Sequence, residues 1–351
     1  MFRTVRHLIG AGTLTFLTAV AVVLARFVPE FWFSFYTDFS RGAVKAVSAV
    51  TGLLPFPLWE ILLVVLVLSV PIGLVYAIVK RKIIGWLAGL LELAVFLVFL
   101  FVGIWGLNHF APTIGDQIGL EVREYTTAEL AAAARYYARE ASDLAPQVPR
   151  DAAGDLILPE FDQISDRAVE AYDRLGESND RFAGAVRRAK PLLVSEAFAY
   201  MGTTGVFVCY TGEATVSTET FAVSLPFTLC HELGHSLAVA AEDQANYCGF
   251  LACRASDDPV LRYSGYYNAF IYCYNALYKD SATTARKLWD DCSPELLHDC
   301  GAHVEHNKQY EGPVQEVAQS VNDSYLKAFD EPGVQSYGLV VDYLIADYLD
   351  S

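Results

Sequence analysis

His231-Glu232-Leu233-Gly234-His235-Ser236-Leu237-Ala238-Val239-Ala240-Ala241-Glu242-Asp243-Gln244-Ala245-Asn246 carries the most informative spacing in the chain. Its first five residues match HExxH. On a helix, positions i and i+4 share a face about one turn apart. His231 and His235 can therefore present two imidazole nitrogens to one Zn²⁺ ion. Glu232 sits one residue on, rotated by roughly 100°, where it can take a proton from an attacking water. With 7 histidines in 351 residues, chance pairing at this spacing is rare.

A catalytic zinc site needs three protein ligands and one open position. Glu242 is the first candidate for the third. On an uninterrupted helix it would lie about 10 Å beyond His235 along the axis, too far to share a metal. The chain must therefore bend between them. Ser236 to Ala241 contains neither Gly nor Pro to announce that bend. Asp243, His298, His303 and His306 are the alternative ligands. Asn246, four residues after Glu242, can hydrogen-bond a ligand histidine from outside the metal shell.

The rest of the chain divides by composition. Hydrophobic residues make up 54%, and the excess sits in residues 1–107. Three runs there are long enough to span a bilayer, at about residues 8–25, 58–79 and 83–107. No small-residue cleavage site follows the first, so it reads as a span rather than a signal peptide. The spanning region carries a net charge of +4, and residues 108–351 carry −20. That acidity argues against nucleic acid or an anionic membrane surface as a partner of the soluble part. Arg3, Arg6 and the Lys80-Arg81-Lys82 turn point to the cytoplasm by the positive-inside rule, which puts residues 108–351 outside as a second domain. The expected location is the cell membrane, multi-pass.

Between the first two spans, Phe31 to Tyr36 reads as an interfacial aromatic belt. Ser40 to Leu54 reads as an amphipathic helix lying on the surface; the alternative for both segments is that they simply cap the spans. Glu92 lies deep in the third span and is expected to face protein. In the soluble part, Thr126-Thr127-Ala128-Glu129 is a capping box opening a helix to Ala141. Residues 160–175 and 179–189 also suit helices. Tyr200 to Ser217 suits paired strands, and Glu213 to Ser217 suits an edge that takes an extended substrate. From Phe227 the pattern is helical, broken at Asp257-Asp258-Pro259, Ser293-Pro294, Gly312-Pro313 and Pro332-Gly333. The fold class is mostly α with a small β element. All seven cysteines lie in the soluble part, with Cys292 and Cys300 the best-spaced pair for a disulfide. Cys230 reads as a small buried hydrophobe.

HELGH followed by E-x-x-A-N resembles the gluzincin zinc metallopeptidases. Over nearly its whole length the chain also resembles an uncharacterised bacterial family that joins three spans to an HExxH ectodomain. That likeness includes Trp105-Gly106-Leu107-Asn108, Thr211-Gly212-Glu213-Ala214, Pro226-Phe227-Thr228, Phe250-Leu251-Ala252-Cys253, Val321 to Lys327 and Gln335-Ser336-Tyr337-Gly338. The resemblance implies a zincin-like soluble domain. It implies His231, His235 and Glu242 as zinc ligands, Glu232 as general base and Asn246 as support for a histidine. The sequence departs at Ala238, where relatives often carry Gly.

Hydrolysis at zinc also wants a donor for the developing oxyanion. Tyr337 and Tyr325 are the candidates. The expected activity is a membrane-anchored zinc peptidase acting on surface or membrane-proximal polypeptides. Two other readings use the same residues: a zinc-holding sensor or scaffold without turnover, and a hydrolase of a cell-wall or lipid amide. The partners expected are the lipid bilayer and a polypeptide substrate; the sequence does not give the oligomeric state.

Overall fold

A computed structural model describes residues 2–184, 187–329 and 339–350. Pro332-Gly333 and Tyr337 lie outside the described residues. The chain forms two compact units. The first comprises residues 1–111 and 208–213, and the second residues 112–207 and 214–351.

The first unit contains α1 (Phe2–Phe27), α2 (Pro29–Phe33), α3 (Tyr36–Thr51), α4 (Leu58–Val79) and α5 (Ile83–Ile104). Helices α1, α4 and α5 are long and apolar enough to cross a membrane. Expectation and structure agree on 58–79. The first helix is longer than expected, and the third stops at Ile104, where Gly106–Phe110 tightens into a 3₁₀ turn.

Helix α1 packs closely on α5. Gly85 faces Thr4, and Gly89 faces His7. Small residues at this spacing let helices approach without a hydrophobic driving force. His7 Nδ1 meets Glu92 Oε2 at 2.5 Å, so Glu92 does face protein. Gly10 leaves room for its carboxyl group. Helix α3 is amphipathic, as its sequence suggests: Tyr36, Ser40, Val44, Ser48 and Thr51 form a stripe buried in the first unit, while Phe39 and Val50 are exposed. Asn108 Nδ2 donates to Ser40 Oγ at 2.8 Å, Tyr36 donates to the Val102 carbonyl at 2.9 Å, and Thr51 donates to the Thr211 carbonyl at 2.8 Å.

The second unit runs α6 (Ile114–Ile118), α7 (Thr127–Leu144), α8 (Phe161–Ser178), β1 (Lys190–Pro191), α9 (Ser195–Tyr200), β2 (Gly205–Val208), β3 (Glu213–Val216), α10 (Leu225–Ser236) and α11 (Glu242–Ala255). It continues with α12 (Pro259–Asp280), α13 (Ala282–Arg286), α14 (Pro294–Lys308), α15 (Pro313–Ala328) and α16 (Val340–Asp350). Three strands among so many helices give a mostly α fold with a small sheet. The Thr126–Glu129 capping box is formed at the start of α7. Asp258 and Ser293 cap α12 and α14 with their side chains, at breaks that the sequence marks.

The described residues of the 179–189 segment form no α-helix. Asn179 caps a 3₁₀ turn over Asp180–Phe182 that buries Phe182. The chain then leads to β1, where Lys190 and Pro191 pair in parallel with Thr215 and Val216. The strand order is β1-β3-β2. Glu213 to Val216 is therefore the central strand, and the edges are β1 and β2. With β1 paired to Thr215 and Val216, that half of the strand is internal, which corrects its assignment as a substrate-accepting edge. Cys292 and Cys300 are not bridged, and all seven cysteines are free thiols. Cys292 instead donates to the Leu288 carbonyl, and Cys230 is fully buried, as a small hydrophobe would be.

Candidate metal centre

Helix α10 has no exposed face. Every residue from Leu225 to His235 is buried, which is the pattern of a helix at the centre of a core. Helices α8, α11 and α12 surround it. His231 and His235 thus point into the interior, 8% and 5% exposed.

The bend that the metal hypothesis demands is present. Helix α10 ends at Ser236 and α11 begins at Glu242. Ala238 makes the turn with φ +62°. An L-residue there sets its Cβ against the following carbonyl, at a cost of about 1–2 kcal/mol. Ala238, the position at which the sequence departs from its resemblance, therefore carries the left-handed turn. Ala238→Gly should relieve that strain, offset in part by a looser unfolded chain. We expect thermal melts to show a midpoint higher by about 1–4 °C. Ala238→Val, which is branched at Cβ, should lower it; the reverse order would remove the strain from this account.

The same bend aligns His235. Val239, just past the turn, offers its carbonyl to His235 Nδ1 at 2.7 Å. A carbonyl only accepts, so Nδ1 carries a proton, and Nε2 is the nitrogen turned toward His231 and Glu242. Phe207 of β2 stacks on the same ring at 6.3 Å. Helix α11 then returns across α10. Gly249 permits the crossing, since a Cβ there would lie 3.1 Å from the His231 backbone nitrogen.

The return brings Glu242 to the histidines. His231 Nε2 and His235 Nε2 are 3.2 Å apart. Glu242 Oε2 lies 3.2 Å from the first and 3.7 Å from the second. Tetrahedral Zn²⁺ with ligands at 2.0–2.2 Å spaces its donor atoms about 3.3–3.6 Å apart. The three groups form a possible metal-holding cluster, and the donor set fits zinc. Two buried polar atoms close by, His231 Nδ1 and Glu232 Oε2, have no hydrogen-bond partner among the described residues.

The electrostatics follow from this packing. Burial raises the Glu232 pKa to about 7, against the opposing pull of His231 and His235. Burial alone would lower His235, but its hydrogen bond to Glu242 and the Glu242 and Glu232 charges outweigh it and lift it to about 9. Burial would likewise raise Glu242, yet the two histidines hold its carboxyl well below the usual range. Glu232 packs against β2 at Gly205, where any Cβ would run into its side chain.

The other candidates are placed elsewhere. His303 stacks on Phe221 at 4.5 Å and bonds the Tyr267 hydroxyl at 2.9 Å. Burial and the nearby His306 lower its pKa to about 4. His306 meets the Glu219 carbonyl, and His298 meets Asp155. Asn246 accepts from Tyr272 at 3.3 Å, while the hydrogen bond on His235 Nδ1 comes from Val239. Tyr325 is on α15, 37% exposed, with its ring against Phe329. Tyr272 of α12 is a residue that sequence reasoning missed. Burial, with a contribution from the Glu242 charge, raises its hydroxyl pKa. It lies 30 residues beyond Glu242 with no local pattern around it, so only the packing of α12 on α11 reveals it.

No curated protein and no solved structure matches the chain significantly. A family model described as "Protein of unknown function (DUF3810)" does match, over residues 35–345. That span takes in most of the membrane helices and the whole His231–Asn246 segment, and the chain belongs to the DUF3810 family.

Proposed function

We propose that this chain is a membrane-anchored, zinc-dependent peptidase, with His231, His235 and Glu242 as the metal ligands. The observation that carries the reading is the triangle of Nε2, Nε2 and Oε2 atoms at 3.2, 3.2 and 3.7 Å. A bound Zn²⁺ supplies Lewis acidity, polarising a carbonyl and making water more acidic. Glu232 takes the proton from the attacking water and delivers it to the leaving amine. Val239 holds the His235 tautomer throughout. By the charge rule, the Lys80–Lys82 turn is cytoplasmic and the second unit lies outside. The substrates proposed are surface or membrane-proximal polypeptides.

Burial favours a second reading. Glu232 is 4% exposed and β2 closes on it, so a polypeptide enters only if covering elements move. A zinc-holding sensor or scaffold needs no such movement. Turnover separates the two. Full-length protein in detergent should cleave an unfolded polypeptide such as reduced casein. Chelation by 1,10-phenanthroline should abolish cleavage and stoichiometric Zn²⁺ should restore it. Full zinc loading without cleavage of any polypeptide in a substrate library would favour the scaffold.

A further inference from the structure

We propose that the groove between α1, α4 and α5 holds one anionic phospholipid, from the leaflet facing the Lys80-Arg81-Lys82 turn. This site is independent of the metal centre and of the peptidase reading.

The groove is a cavity of about 350 Å³ lined by His7, Ser69, Trp86, Gly89 and apolar residues from Leu66 to Leu93. Its depth follows from the helical rise. Gly85 is about 3 Å, and Leu93 about 15 Å, beyond the start of α5 at Ile83. A depth of about 15 Å is half of a hydrocarbon core about 30 Å thick, the reach of one leaflet. The lining is apolar along most of this length, as an acyl chain requires. His7 is held at Glu92, and Ser69 donates back to the Leu66 carbonyl at 2.7 Å.

The head-group end is cationic. Lys80, Arg81 and Lys82 join α4 to α5, with Arg81 in a left-handed turn at φ +54°. Thr4 faces Gly85 and His7 faces Gly89, which sets Arg3 and Arg6 at the same end of the bundle. Among the described residues, no ion pair joins any of these five cations to a carboxylate. A phosphodiester whose charge is not balanced by its own head group complements them, and a zwitterionic choline lipid does so less well. An apolar slot one leaflet deep with unbalanced cations at its mouth thus matches both ends of one lipid.

The test counts lipids retained by the full-length protein. Protein reconstituted in vesicles of phosphatidylcholine and phosphatidylglycerol in equal parts is re-extracted, and bound lipid is read by native mass spectrometry. We expect about one phosphatidylglycerol per chain, enriched roughly tenfold over phosphatidylcholine. Ser69→Phe fills the groove with every cation in place and should lose the bound lipid. Arg3→Gln with Arg6→Gln keeps the groove and the turn and should lower the preference severalfold; an unchanged preference would overturn the site. Equal retention of both lipids, retention of neither, or unchanged binding by Ser69→Phe would overturn the site. Should Ser69→Phe fail to fold by circular dichroism, the arginine pair decides alone.

Discussion

Glu232→Gln is expected to lower peptide turnover by about 10²–10⁴-fold, the usual contribution of a general base, while leaving zinc content unchanged. The amide keeps the shape of the side chain but cannot accept the proton. The variant should not fail through misfolding. Burial raises the Glu232 pKa from 4.5 to about 7, so the ionised side chain is unfavourable where it sits. A folded pKa above the unfolded one means stability is lost as pH rises from about 4.5 through 7. In the metal-free protein, Glu232→Gln should therefore be more stable than wild type above pH 7, by about 3 kcal/mol. That gap should close below pH 4.5. Turnover kinetics, metal analysis and melts at pH 4 and 8 check these outcomes together. A variant with wild-type turnover would remove Glu232 from the chemistry.

Glu242→Ala should remove the metal. Its carboxylate is the third corner of the donor triangle, and two imidazoles alone do not complete a zinc site. Zinc affinity should fall by more than the 10–100-fold that loss of an outer partner costs. The metal-free variant provides a second readout. Glu242 is the main group lifting His235 to about 9 against burial. Without it, burial dominates and the His235 pKa should drop below that value, as seen by imidazole NMR titration. Glu242→Gln should reproduce both effects with less disturbance of packing. Unchanged zinc occupancy in both variants would move the third ligand elsewhere.

Short-range rules made much of this molecule legible. The HExxH spacing needs only a helix, and α10 supplies one. The run from Leu58 to Val79 is bounded by Pro57 and Lys80, so its limits are readable to the residue. Thr126, Asp258 and Ser293 cap helices as their side chains dictate. Long-range packing decided the remainder. Nothing within Ser236–Ala241 favours a left-handed residue, yet Ala238 adopts that conformation where the chain turns from α10 into α11. Strand order depends on which partner reaches β3, so the edge could not be read from the alternation of its residues. Glu92 was recognisably out of place in an apolar span, but its partner His7 is 85 residues away. Residues 179–184 suit a helix by composition, yet they form a 3₁₀ turn that buries Phe182.

The most direct test of the account is the zinc content of purified full-length protein, measured by inductively coupled plasma mass spectrometry beside His235→Ala. The account predicts about one zinc per wild-type chain and close to none in the variant. Zinc-free wild type after growth and purification with added Zn²⁺, or equal zinc in both proteins, would contradict it.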